Sequence, residues 1–131
     1  MNSKRIVTMS ALACAGLVFP LAGTAAAADG ELTMTVTSGD QSAARVLTLT
    51  CDPDGGEHPN ADAACAEIEA ADGDFSALPG EPSLFCTLEY DPVTVTATGT
   101  WRGRTVNYEQ TFPNTCELIR ATGSVFVPEL R

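Results

Sequence analysis

Val93-Thr94-Val95-Thr96-Ala97-Thr98-Gly99-Thr100-Trp101 places an apolar residue or glycine at every second position. Arg102-Gly103 then separates it from a second alternating run that carries Val106, Tyr108 and Phe112. A period of two is that of a strand with one face in a core and the other in solvent, and a glycine between two such runs suits a tight hairpin. The alternation recurs upstream at Leu32, Met34 and Val36, and at Leu47, Leu49 and Cys51. Near the end, Ser124-Val125-Phe126-Val127 predicts a fifth short strand ahead of Pro128. Between these runs the period changes: Ala61, Ala64, Cys65 and Ile68 are spaced for one face of a helix over 61–71, opened by Pro59-Asn60. Asp62 sits in its first turn, where a carboxylate is favoured, and Gly73 suits its stop. A second short helix is expected from Cys116 through Ile119. The sum is an α+β fold: about five antiparallel strands, one main helix and a second short one.

The amino-terminal segment reads differently. Lys4 and Arg5 precede an apolar run from Ile6 to Leu21, and Ala25-Ala26-Ala27-Ala28 follows before Asp29. That is the order of a secretory signal peptide over 1–28, cleaved after Ala28, with one domain over 29–131. A membrane anchor is disfavoured by Pro20 and the small residues after it, and lipidation at Cys14 by Ala11 three places upstream. Residues 29–131 hold all 17 carboxylates and, as cations, only Arg45, Arg102, Arg104, Arg120 and Arg131, a formal net charge of −12 without a lysine. Such a domain is repelled by nucleic acid and by anionic membranes, where basic contacts dominate, and expects a neutral or basic partner.

Four cysteines, Cys51, Cys65, Cys86 and Cys116, remain in an exported domain of about 100 residues, which implies two disulfides; three pairings are possible. No zinc site is expected, because there is no paired CxxC and His58 is the sole histidine. Asp52-Pro53-Asp54-Gly55-Gly56-Glu57 lacks the alternating acids and closing glutamate of a twelve-residue calcium loop and reads as an acidic surface turn. His58 has no nucleophile motif beside it, and a domain this small rarely builds a glycosidase cleft, so the chain is not read as an enzyme. No metal or cofactor is called for. Trp101 and Tyr108 lie in strands and are assigned to the core or a subunit contact rather than to a sugar platform.

One stretch remains. Cys86-Thr87-Leu88-Glu89-Tyr90-Asp91-Pro92 follows Gly80-Glu81-Pro82, so prolines bound it on both sides and the backbone is expected to be extended. Leu84, Cys86, Leu88 and Tyr90 alternate with Phe85, Thr87 and Glu89, and by pattern alone Leu88 would be buried in a half-buried strand.

A wider match turns it outward. Thr48-Leu49-Thr50-Cys51, His58-Pro59, Ala64-Cys65-Ala66, Tyr90-Asp91-Pro92-Val93, Trp101, Tyr108-Glu109, Asn114, Cys116-Glu117 and Ser124-Val125-Phe126 stand in order across nearly the whole domain. In these the chain resembles the subtilisin inhibitor-like family of secreted streptomycete proteins. The resemblance implies pairing of Cys51 with Cys65 and of Cys86 with Cys116, and a substrate-like loop. Leu88 would be P1 and Glu89 P1′, with the scissile bond between them; Phe85, Cys86, Thr87 and Tyr90 would contact a subtilisin-like or chymotrypsin-like serine protease, and Asn114 would support the loop. It also implies an extracellular homodimer formed through the sheet. The match departs at the short Asp29-Gly30 lead into the first strand, and from the family's best-known member at Thr87, a proline there, and at Glu89, an aliphatic residue there. Pattern alone leaves a second reading, an extracellular acidic module that binds carbohydrate or protein without inhibiting a protease.

Overall fold

The structure is a computed structural model that describes residues 14–18 and 28–127. The expected leader over 1–28 lies outside the described residues except for 14–18 and Ala28. In the domain the order of elements is β1 (Gly30–Ser38), β2 (Ala44–Cys51), β3 (Gly55–Gly56), α1 (Ala61–Ala70), β4 (Val93–Trp101), β5 (Arg104–Phe112) and α2 (Thr115–Thr122). A single turn of 3-10 helix, Phe75–Ala77, follows α1. All pairings are antiparallel, and the sheet order is β3-β2-β1-β4-β5.

The period-two reading sets the faces. In β1 Leu32, Met34 and Val36 are buried, and the register brings Leu32 opposite Leu49 on β2 and Val36 opposite Val95 on β4. Trp101, at the far end of β4, is buried with them. The alternate residues, Thr33, Thr35, Thr37, Thr94, Thr96 and Thr98, form the outer face, where Thr35 and Thr96 share a hydroxyl hydrogen bond. Arg102 and Gly103 both take positive φ, 47° and 78°, which is the two-residue hairpin turn whose twist matches the strands.

Both helices pack on the inner face. Ala64, Cys65 and Ile68 of α1 and Leu118 of α2 are buried, and the Cys51–Cys65 disulfide ties α1 to the end of β2. Phe75, Tyr108 and Phe126 close the core beside β5, with ring centroids 5.5–6.2 Å apart, a geometry that adds roughly 0.5–1.5 kcal/mol per pair.

Two expectations are corrected. Ser124–Val127 is not a strand: Gly123 ends α2 with φ 59°, and the segment turns inward to bury Val125 and Phe126. Its backbone is held by side chains instead of a neighbouring strand. The Val125 carbonyl accepts from His58 Nε2 (2.9 Å), and Ser124 N–H donates to the Glu67 carboxylate (2.8 Å). The fifth strand is β3, whose two glycines pair with Leu49 and Thr50. His58, read from the sequence as a sole histidine with no motif beside it, is buried with both ring nitrogens engaged. Asn60 N–H donates to Nδ1 (3.0 Å), so Nε2 carries the hydrogen given to Val125.

Candidate functional site

Between the 3-10 turn and β4 the chain runs from Gly80 to Pro92 without regular secondary structure. It lies along α2, and its fastenings can be followed in order. Gly80, with φ 58°, packs so closely on the Arg120 carbonyl that a Cβ there would sit 2.3 Å away, and the Glu81 N–H donates to that same carbonyl (2.9 Å). Leu84 N–H closes a turn onto the Glu81 carbonyl (3.0 Å). Cys86 is bonded to Cys116 in the first turn of α2. At the far end the Asp91 N–H donates to the Pro113 carbonyl (2.8 Å).

Asn114 holds the middle. It is the residue that caps α2: its Oδ1 accepts from the Glu117 N–H at 2.8 Å, one of the orphan donors of the first turn. Its Nδ2 faces the loop and donates to the Glu89 carbonyl at 2.8 Å, with a longer contact of 3.4 Å to the Thr87 carbonyl. One buried amide therefore fixes the backbone on both sides of Leu88. Burial matters here, because water cannot readily replace bonds that it cannot reach.

The side chains between these anchors point away. Leu88 is 101% exposed, Phe85 89% and Tyr90 80%, and Thr87 and Glu89 are also exposed. Three large apolar side chains in the open within six residues form a protruding edge of the kind that marks a binding surface. The backbone is held while the side chains are presented. Of the positions singled out from sequence, the structure thus gathers Phe85, Cys86, Thr87, Leu88, Glu89 and Tyr90 on one loop and sets Asn114 behind them. Sequence reading missed the backbone anchors at Glu81 and Asp91; Gly80, ahead of Glu81-Pro82, is the only cue to the first.

Other candidates are used up structurally. Trp101 is buried, and the half-buried Tyr108 packs against Phe75 and Phe126, which places both with the core. Burial, reinforced by the Asp74 charge, pushes the Tyr108 hydroxyl above its usual range. In the acidic turn, Asp54 accepts from the Asp52 N–H (3.2 Å), and Glu57 accepts from Thr48 (3.3 Å). Among the described residues Cys51, Asp54 and Cys65 lie close enough together to suggest a cation site. The two sulfurs are bonded to each other, however, and offer no thiolate. No helix among the described residues is long and apolar enough to cross a membrane.

A family model for subtilisin inhibitor-like proteins matches residues 28–114. A "Subtilase-type protease inhibitor" of Streptomyces coelicolor is 42% identical over 140 residues, covering 95% of this chain and 97% of the relative. "Subtilisin inhibitor-like protein 2" of Streptomyces rochei is 47% identical over 104 residues, covering 76% of this chain and 92% of its own length. Among solved structures, Streptomyces caespitosus sermetstatin in complex with Bacillus licheniformis subtilisin shares the fold with a TM-score of 0.58 and 37% identity. The match covers 73% of this chain and 96% of that one.

Proposed function

The chain belongs to the subtilisin inhibitor-like family, and from that premise we propose that it inhibits serine proteases of the subtilisin class by offering Leu88-Glu89 as a scissile bond that is held too firmly to be lost. The observation that carries this reading is the fully exposed Leu88 between two carbonyls gripped by one buried asparagine.

The mechanism follows from those bonds. Residues Cys86 to Leu88 pair with the enzyme as an added strand, which presents the Leu88 carbonyl to the attacking serine and its oxyanion hole. The serine oxygen bonds to the Leu88 carbonyl carbon, and the Glu89 amine is the leaving group. In an ordinary substrate that amine diffuses away. Here the Cys86–Cys116 bridge and the Asn114 bond to the Glu89 carbonyl hold both sides of the cut against α2. The amine stays beside the acyl carbon at high effective concentration, and religation outpaces hydrolysis. The loop is ordered before binding, so little entropy is lost on docking, and an interface of roughly 1,600 Å² reaches high affinity. The chain itself acts by binding, with no turnover of its own.

Leu88 suits the large apolar S1 pockets of subtilisins and of chymotrypsin-like enzymes, whereas trypsin's buried aspartate selects Arg or Lys. Phe85 adds an apolar P4 contact. Titration of subtilisin, chymotrypsin and trypsin with the protein tests the assignment: near-stoichiometric loss of subtilisin activity is expected with trypsin spared, and no inhibition of subtilisin or chymotrypsin refutes it. A Leu88→Lys variant should redirect inhibition to trypsin; if it does not, Leu88 is not P1.

Residues 1–28 act as a secretory leader and 29–131 as the extracellular inhibitor domain. Two copies pair through the sheet, a reading supported by an outer face with no covering layer among the described residues and with Val46 60% exposed on it. Sedimentation at micromolar concentration checks the dimer.

A further inference from the structure

We propose that Glu89 is a specificity-determining residue: its carboxylate directs the loop toward serine proteases whose S1′ rim carries a lysine or arginine and away from those with an acidic rim. The inference rests on the reading of Leu88-Glu89 as the scissile bond.

The two sides of that bond differ in charge. On the amino-terminal side Phe85, Cys86 and Thr87 are uncharged, and on the carboxyl-terminal side the first residue is an acid. The Asn114 bond to the Glu89 carbonyl fixes the backbone from which this carboxylate projects, while the side chain is exposed and makes no hydrogen bond or ion pair among the described residues. No cation among the described residues pairs with it. Arg102 and Arg104 pair with Glu69 and Asp72 at the hairpin turn, about 26 Å along β4 from the loop end and well beyond the screening length of about 8 Å. Arg120 pairs with Glu117, and Arg45 is also engaged. Further along, Asp91 and Asp40 line one open hollow of about 570 Å³, so the field on this side of the bond stays negative. A carboxylate that is solvated in the free inhibitor and desolvated against S1′ needs a cation there. Lacking one, it opposes docking.

The test uses the full chain and two subtilisin variants that differ at one S1′-rim position, lysine in one and glutamate in the other. Inhibition constants are measured for wild type, Glu89→Gln and Glu89→Lys at low and high salt. Wild type is expected to favour the lysine-rimmed enzyme by about tenfold; Glu89→Gln should erase the preference, Glu89→Lys should reverse it, and salt should compress it. An unchanged ratio in Glu89→Gln, with wild type still inhibiting both enzymes near stoichiometry, overturns the role of Glu89 and leaves the inhibitor reading intact. Failure of wild type to inhibit either enzyme overturns both.

Discussion

Leu84–Tyr90 and Val93–Trp101 carry the same period-two alternation, separated by two residues, and the protein treats them in opposite ways. Val93, Val95, Ala97 and Trp101 are buried on the inner face of a strand paired on both sides, with β1 and with β5. Leu88 and Tyr90 stand in solvent on a loop that pairs with no strand among the described residues. Alternation says that a stretch is fit to lie on a sheet; it does not say that a sheet edge is free to receive it. The first stretch is held by ladder hydrogen bonds and apolar burial, the second by a disulfide, one amide side chain and two terminal backbone bonds.

Substitutions at matching positions should separate the two regimes. Trp101→Ala removes a buried indole from the strand and is expected to cost about 3–5 kcal/mol, read by urea unfolding. Leu88→Ala, though also a large apolar residue in an alternating run, should move stability by less than about 0.5 kcal/mol and instead weaken subtilisin inhibition strongly. Equal stability losses would erase the distinction.

Next in size is the bridge. Replacing Cys86 and Cys116 together with serine opens a loop with a sequence separation of 30, and should cost roughly 3–4 kcal/mol by chain entropy. The same variant should be cleaved between Leu88 and Glu89 as a substrate, a product that mass spectrometry identifies. Asn114→Ala loses the α2 cap and both loop bonds, for about 2 kcal/mol. Asn114→Asp divides the effects: the cap acceptor is kept and the Nδ2 donor is lost, so stability should fall less while loop cleavage still accelerates.

The smallest effect lies beside the loop, in the β1–β2 turn. The Ser42 N–H and hydroxyl, with the Ser38 hydroxyl, hold the Asp40 carboxyl down to about 2, against 3.8 unperturbed. A depressed folded-state value stabilises above the unfolded value, and that contribution is lost as pH falls from about 4 through 2. Asp40 is exposed, so the effect on overall stability is slight, but a carbon-detected titration should give its midpoint near 2, moving toward 3.8 in Ser42→Ala.

Most of the fold was legible because burial on one face writes itself into the chain every second residue, as in β1, β2, β4 and β5. Segments held by specific bonds leave no such trace. β3 consists of two glycines with no side-chain pattern to read, and Ser124–Val127 looked like a strand because its apolar residues are buried, though by a turn braced from His58 and Glu67. His58 itself looked isolated since its partners are a backbone amide two residues on and a carbonyl far along the chain. At the site, residue types and prolines announced an extended segment. The outward turn of Leu88 came from kinship alone, because it depends on where α2 lies, and period-two alternation carries no information about that.

The fastening of the loop has an evolutionary side. Apart from Cys86, the anchors take main-chain groups: the carbonyls of Thr87 and Glu89, and the amides of Glu81 and Asp91. The side chains at 85, 87, 88 and 89 bear none of the domain's structural duties, so mutation can rewrite them without a toll on folding. The scaffold therefore lets these four surface residues be exchanged while Asn114 and the Cys86–Cys116 bridge keep the backbone in place.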